Sequence, residues 1–224
     1  AIMPDPTGGE ITGMAAVPGG LLVFTRVSTF LVTPWTSGAG FKYTTLSTRV
    51  GCVAPNSIAT ADDLTIWLGV DGFYGFDGTS ITPLSEDVSR YTSGITRGWA
   101  RGAVAVYRYE TNEYCCWVPY DGSTENAYCF IYSKGEWRRR TDLRPRAACV
   151  TRDHRSYVLL AGTRGAENLH GVWVLDHHTY RNAIQAGLPQ GYIETVWIEG
   201  PASKERSSRY RVSLWFRETS SQTV

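Results

Sequence analysis

"LTIWLGVDGFYGFDGTSITPL", Leu64 to Leu84, sets strand-like apolar runs on either side of Asp71-Gly72 and turns again at Asp77-Gly78. Each Asp-Gly pair has two readings. It is half of an ion site, or it is a tight turn between short antiparallel strands. The second follows because Gly accepts positive φ and Asp hydrogen-bonds its own backbone. The surrounding sequence separates the two.

Similar runs recur along the chain. "GGLLVFTRVSTFLVTP", "DDLTIWLGVDGFYGFDG", "GAVAVYRYETNEYCCWVPYD" and "HRSYVLLAGTRGAENLHGVWVLDHHT" start their strands near Leu21, Leu64, Ala103 and Tyr157, at intervals of 43, 39 and 54 residues. The long interval is assigned to an extra hairpin, "YDGSTENAYCFIYSKGEW". Each unit reads as strand, tight turn, strand, turn and a more polar outer strand: "FKYTTLS", "ITPLS", "EWRRRTDL" and "TYRNAI". A repeat of roughly 40–50 residues with about four strands is the signature of a propeller blade. One such sheet cannot bury both of its faces alone, so neighbours stack to do so. Trp67, Phe73, Phe76, Trp117 and Trp173 are therefore expected between blades.

The slots matched to Asp71-Gly72 hold Arg26-Val27-Ser28, Glu110-Thr111-Asn112 and Arg164-Gly165-Ala166. An ion site would not vary so freely, and carboxylates this far apart on a hairpin suit calcium poorly. Both Asp-Gly pairs are read as turns. Helical periodicity is confined to Leu84–Gly94, where Ser85 with Glu86 and Asp87 suits one short turn.

The fold class expected is all-β: an incomplete set of propeller blades, part of a longer chain, followed by strands of a possible β-sandwich. Residues 1–188 would hold about four repeat units and 189–224 a second β domain or a further blade, split at Gly187–Gly191 with Pro189 inside. Strands are expected at Ile193–Glu199 and Tyr210–Arg217. The chain starts at Ala1 and stops on a strand-like run, so both ends read as cuts.

Composition narrows function by exclusion. The 224 residues are 42 % hydrophobic and 12 % aromatic, with eight Trp and thirteen Tyr, which suits pleated surfaces. Lys and Arg number 22 against 21 Asp and Glu, so overall charge gives no case for nucleic acid or an anionic membrane. No apolar stretch approaches the roughly 20 residues of a membrane helix. The start carries no basic region followed by an apolar core. Five cysteines without a CxxC pair read as reduced, partly buried thiols, with Cys116 facing Cys129 across a hairpin as the alternative.

No catalytic, metal-binding or cofactor-binding residue emerges. His177-His178 follow a strand and point to opposite faces if the strand continues. With Asp176 and Thr179 they read as a polar turn; His154 and His170 are read as turn residues. Vicinal Cys115-Cys116 in "YCCWV" puts one thiol on each face. There is no G-x-S-x-G motif and no Gly-rich phosphate loop. "GEWRRRTDLRPR" remains, with Arg138, Arg139, Arg140, Arg144 and Arg146. Guanidinium groups bind phosphate or acidic partners bidentately, and an exposed outer strand also uses charge to protect its edge. These five are the candidate partner contacts.

"ITGM" leading into a Gly turn and "LLVF", the "VGCVAP" step at Val50–Pro55, and "DGFYGFDG" followed by "PLS" together resemble propeller proteins of bacteriophage virions. These are tail-nozzle (tail tubular) proteins and head-to-tail DNA-stabilisation proteins. "IETVWIEGPASKERSSRYRVSLWF" is similar to the start of the β-sandwich such chains carry. The resemblance implies a structural protein of a tail or head-tail connector, in the virion, with no catalytic residues. Its partners would be copies of itself, neighbouring tail or portal proteins, and DNA passing without sequence-specific contacts. Placed at a subunit boundary, the arginines would meet acids such as Glu199 or Glu205 of a neighbour. The alternatives are a carbohydrate-active propeller enzyme and a cellular protein-binding propeller.

Overall fold

A computed structural model describes residues 9–34, 40–61, 63–141, 144–150, 156–164, 167–174 and 194–195. Four sheets follow one another in chain order. The first contains β1 (Ile11–Val17), β2 (Gly20–Thr25), β3 (Thr29–Pro34) and β4 (Phe41–Ser47). The second contains β5 (Ala59–Ala61), β6 (Leu64–Leu68), β7 (Phe73–Phe76) and β8 (Ile81–Pro83). The third contains β9 (Val104–Arg108), β10 (Glu113–Val118), β11 (Tyr128–Ser133) and β12 (Glu136–Arg140). The fourth contains β13 (Pro145–Val150), β14 (Ser156–Arg164) and β15 (Glu167–Val174). Every pairing is antiparallel and, within each of these groups, each strand pairs with its neighbour in sequence. The fold is all-β.

The Leu64–Leu84 stretch turns where expected. Gly69 N–H bonds the Gly72 carbonyl at 2.8 Å, closing the β6–β7 turn. At the next turn Asp77 Oδ1 accepts from the N–H groups of Thr79 and Ser80 at 2.8 and 2.7 Å, and Gly78 takes φ +92°. These bonds favour the ionised carboxyl and hold Asp77 below the usual aspartate range. The side chain is an Asx turn. Ser85 does not cap the short turn that follows; its hydroxyl accepts the Phe73 N–H at 2.9 Å instead. Beyond it lie a 3-10 turn at Glu86–Val88, the one-turn α1 (Ser89–Thr92) and a 3-10 segment at Arg97–Gly102.

The third unit corrects two alignments. Tyr120–Trp137 is not an extra hairpin, since it supplies β11 and the start of β12. Ala103 leads into the first strand of its sheet, whereas Leu64 opens the second strand of its own. Compared by second strands, the units begin at Gly20, Leu64, Glu113 and Ser156, intervals of 44, 49 and 43 residues. The β9 strand misleads because it is buried on both faces and therefore reads like β6. Its Glu110–Asn112 turn consequently belongs with the β1–β2 turn. The true counterpart of Asp71-Gly72 is a second Asp-Gly pair, Asp121-Gly122, at φ +51° and +77°.

Strand alternation gives the second and third sheets two apolar faces, and the chain buries them in order. Leu22 and Phe24 of the first sheet meet Trp67 and Phe76 of the second, with Phe24 and Trp67 ring centroids 4.9 Å apart. The other face of the second sheet, with Ile66, Leu68 and Phe73, packs on Tyr114, Cys116, Phe130 and Trp137 of the third. The third sheet's remaining face gathers Val104, Val106, Cys115, Trp117 and Cys129, against which Ala148 of the fourth packs. Trp67, Phe73, Phe76 and Trp117 are accordingly buried to within 1 %. Trp173 lies on β15. The first strands β1, β5, β9 and β13 run beside one another in succession.

Residues 194–195 form β16, a short fifth strand on the outer edge of the third sheet, where Arg138 faces Thr195 and Arg139 faces Glu194. The remainder of the strands expected at Ile193–Glu199 and Tyr210–Arg217, the Gly187–Gly191 boundary and "TYRNAI" lie outside the described residues.

Candidate functional site

β12 ends its meander as the outer ladder strand of β11, with Arg138, Arg139 and Arg140 opposite Ile131, Phe130 and Cys129. Alternation sends Arg138 and Arg140 to the side of the fourth sheet and Arg139 to the side of the second. The run is thus not one basic stripe. It divides between two crevices.

Arg138 is already engaged within its own chain. Its Nη2 donates to Glu113 Oε1 at 2.7 Å, while Arg108 Nη1 donates to Glu113 Oε2 at 3.0 Å. Thr111 Oγ1 adds a third donor at 2.8 Å. The side chains of Arg108 and Glu113 are only 8 % and 12 % exposed, against 43 % for Arg138. A carboxylate withdrawn from water needs this saturation, since it cannot stay ionised alone. The group carries two cations and one anion, so it keeps one positive charge directed outward through Arg138.

Arg139 stacks on aromatic faces. Its guanidinium carbon lies 3.7 Å from the Tyr91 ring centre and 5.4 Å from that of Tyr128. Tyr128 in turn stacks on Tyr120 at 4.1 Å. Burial pushes the Tyr128 hydroxyl above the usual tyrosine range, with the Arg139 charge opposing it. Arg144 Nη1 reaches Glu125 Oε2 at 2.6 Å, and Arg146 is exposed on β13. Asn126 anchors this corner by donating to the Gly102 and Pro145 carbonyls at 2.7 and 2.9 Å.

The structure therefore gathers all five arginines around the third and fourth sheets. Among the described residues, Arg138 pairs with Glu113 and Arg144 with Glu125. Glu199 and Glu205 lie outside the described residues. Sequence reading missed Glu113, Arg108 and the Tyr91–Tyr128 pair; Glu113 precedes Arg138 by 25 residues, and only the β10–β11–β12 register unites them.

The thiols divide by face as expected, with one change. Cys116 lies opposite Phe130 and Cys129 opposite Trp117, so Cys115, not Cys116, shares a face with Cys129. Burial raises Cys52 to about 11 and Cys116 to about 12, which leaves both as neutral thiols. Cys149 is exposed. His154, His177 and His178 lie outside the described residues, and His170 sits on β15. Among the described residues no three His, Cys, Asp or Glu side chains come together as a metal-binding group. No described helix is long and apolar enough to cross a membrane.

No protein-family model matches the chain, and no curated protein matches it. Its class is stated by its architecture: an all-β chain of successive antiparallel meanders stacked face to face.

Proposed function

We propose that this chain is a propeller-bearing structural protein of a bacteriophage tail or head-tail connector, assembling in the virion around the DNA exit channel. The observation that carries the propeller part is the stacking in chain order, with the first strands β1, β5, β9 and β13 side by side. That is the arrangement radial blades require, because each apolar face is covered by the next unit. The virion assignment rests on the resemblance of the "ITGM", "VGCVAP" and "DGFYGFDG" segments.

A conduit must join its neighbours firmly and let a polyanion pass. Each phosphate contact adds affinity and slows release, so a net charge of +1 suits passage. Arginines already held by Glu113, Glu125 and tyrosine rings suit a protein boundary better than a DNA grip. The test is assembly. The full polypeptide, produced with its neighbouring structural proteins, should form closed rings or tubes by electron microscopy and sediment with particles. A monomer that stays apart from particles and cleaves glycans would establish the enzymatic alternative instead.

A further inference from the structure

A cleft lies where four chain segments meet at one end of the first two sheets. Its apolar floor is formed by Val53, Leu68, Ile95 and Ala100. Arg26, from the β2–β3 turn, and Arg97, from the connection between the second and third sheets, stand at its rim. The backbone of Gly69 and Gly72 supplies one wall, with Thr92 beside it.

The walls are fixed by backbone bonds rather than by adaptable side chains. Cys52 N–H bonds the Thr25 carbonyl at 2.9 Å and Val53 N–H bonds the Leu68 carbonyl at 3.0 Å. The Gly51–Val53 step thereby ties the Arg26 turn to β6. Thr92 Oγ1 donates to the Ser89 carbonyl at 3.1 Å, which leaves its lone pairs available. Both arginines are exposed, and neither is paired with a carboxylate among the described residues. No acidic side chain lines the cleft. Asp71 sits in the adjoining turn, with its charge acting on Tyr74.

We propose that this cleft binds a carboxylate carried on a short apolar stem, held between Arg26 and Arg97. Two guanidinium forks on separate elements suit an oxyanion. The apolar floor selects one with methylene groups attached over a fully hydrated anion. A glutamate side chain of a protein partner and a free small acid share this chemistry.

Amide NMR of the full chain, titrated with propionate, with inorganic phosphate and with a blocked Ala-Glu-Ala peptide, tests the assignment. Propionate or the peptide should shift the Gly69, Val70 and Gly72 amides saturably. Tighter binding of the peptide points to a partner's side chain, and binding of propionate alone to a free acid. Arg26→Gln and Arg97→Gln should each weaken binding by about fivefold or more, as loss of one charge-assisted contact does. Asp71→Asn should strengthen it by removing a nearby negative charge. Unchanged melting temperatures would show that the variants remain folded. Shifts that never saturate, or that persist unaltered in the double arginine variant, would overturn the site. Equal binding of phosphate would show recognition of charge alone and overturn the carboxylate assignment.

Discussion

Trp67 Nε1 donates to the carbonyl of Gly51 at 3.1 Å, joining the buried centre of the second sheet to the step that links it with the first. Gly51 has no room for a side chain: an added Cβ would lie 2.3 Å from the Thr25 carbonyl oxygen and 2.4 Å from Val27 N. Those neighbours are backbone and cannot rotate away. Gly51→Ala should therefore destabilise by about 2–3 kcal/mol through overpacking. Urea unfolding followed by tryptophan fluorescence checks it, and an unshifted midpoint would refute the junction.

Gly78 gives the contrasting case. Space around it is open, and only its φ of +92° restricts it. Gly78→Val should cost about 1 kcal/mol or more, from backbone strain alone. Gly78→Ala should cost nearly as much, because the penalty lies in the backbone and not in side-chain size. A wide gap between the two variants in chemical denaturation would contradict this.

The Glu113 cluster predicts an asymmetry. Arg108 is buried and Arg138 is 43 % exposed, so water replaces the second more readily than the first. Arg108→Gln should destabilise by about 3 kcal/mol and Arg138→Gln by about 1 kcal/mol or less. Charge reversal at Arg138 would set a second carboxylate against Glu113 and unsettle the fold. Equilibrium unfolding of each variant checks the ranking.

Thiol reactivity should separate one cysteine from the other four. Cys149 is exposed and should react with a disulfide reagent at pH 8 within minutes, whereas Cys52, Cys115, Cys116 and Cys129 are buried and should wait for denaturant. The raised thiols also set an alkaline limit. For Cys52 and Cys116 the folded values lie near 11 and 12 against an ordinary value of 9.0. Their contribution is complete below 9.0, where both states are neutral, and is lost as pH rises towards 11 and 12. Thiols that contributed no loss of stability over that range would be accessible rather than buried.

Asp77 sets the opposite limit. Its carboxyl titrates below the usual value because the folded turn bonds the ionised form. The contribution is present above the unfolded value and disappears as pH falls through the folded one. Carboxyl carbon shifts followed by NMR should show Asp77 titrating below the usual aspartate range.

The all-β class and the turns at Gly72 and Gly78 were legible because turn chemistry is local, written in adjacent residues. Burial of Trp67, Phe73, Phe76 and Trp117 was legible from alternation. The third unit was misaligned because β9, apolar on both faces, imitates a second strand. The Glu113 cluster and the cleft at Arg26 and Arg97 were not legible. Their members come from separate segments, and only the ladder register and the Gly51–Val53 bridge bring them together.

The alternation of faces also determines where this chain can change length. In β6, Trp67 serves the interface with the first sheet while its neighbours Ile66 and Leu68 serve that with the third. Inserting one residue within the strand would exchange these roles and spoil two interfaces at once. The links between second and third strands carry no such obligation: they span three residues after β2, four after β6 and nine after β10. Insertions and deletions should thus accumulate at that one end of the sheets, leaving strand lengths conserved, and new binding specificities should arise there without disturbing the stack.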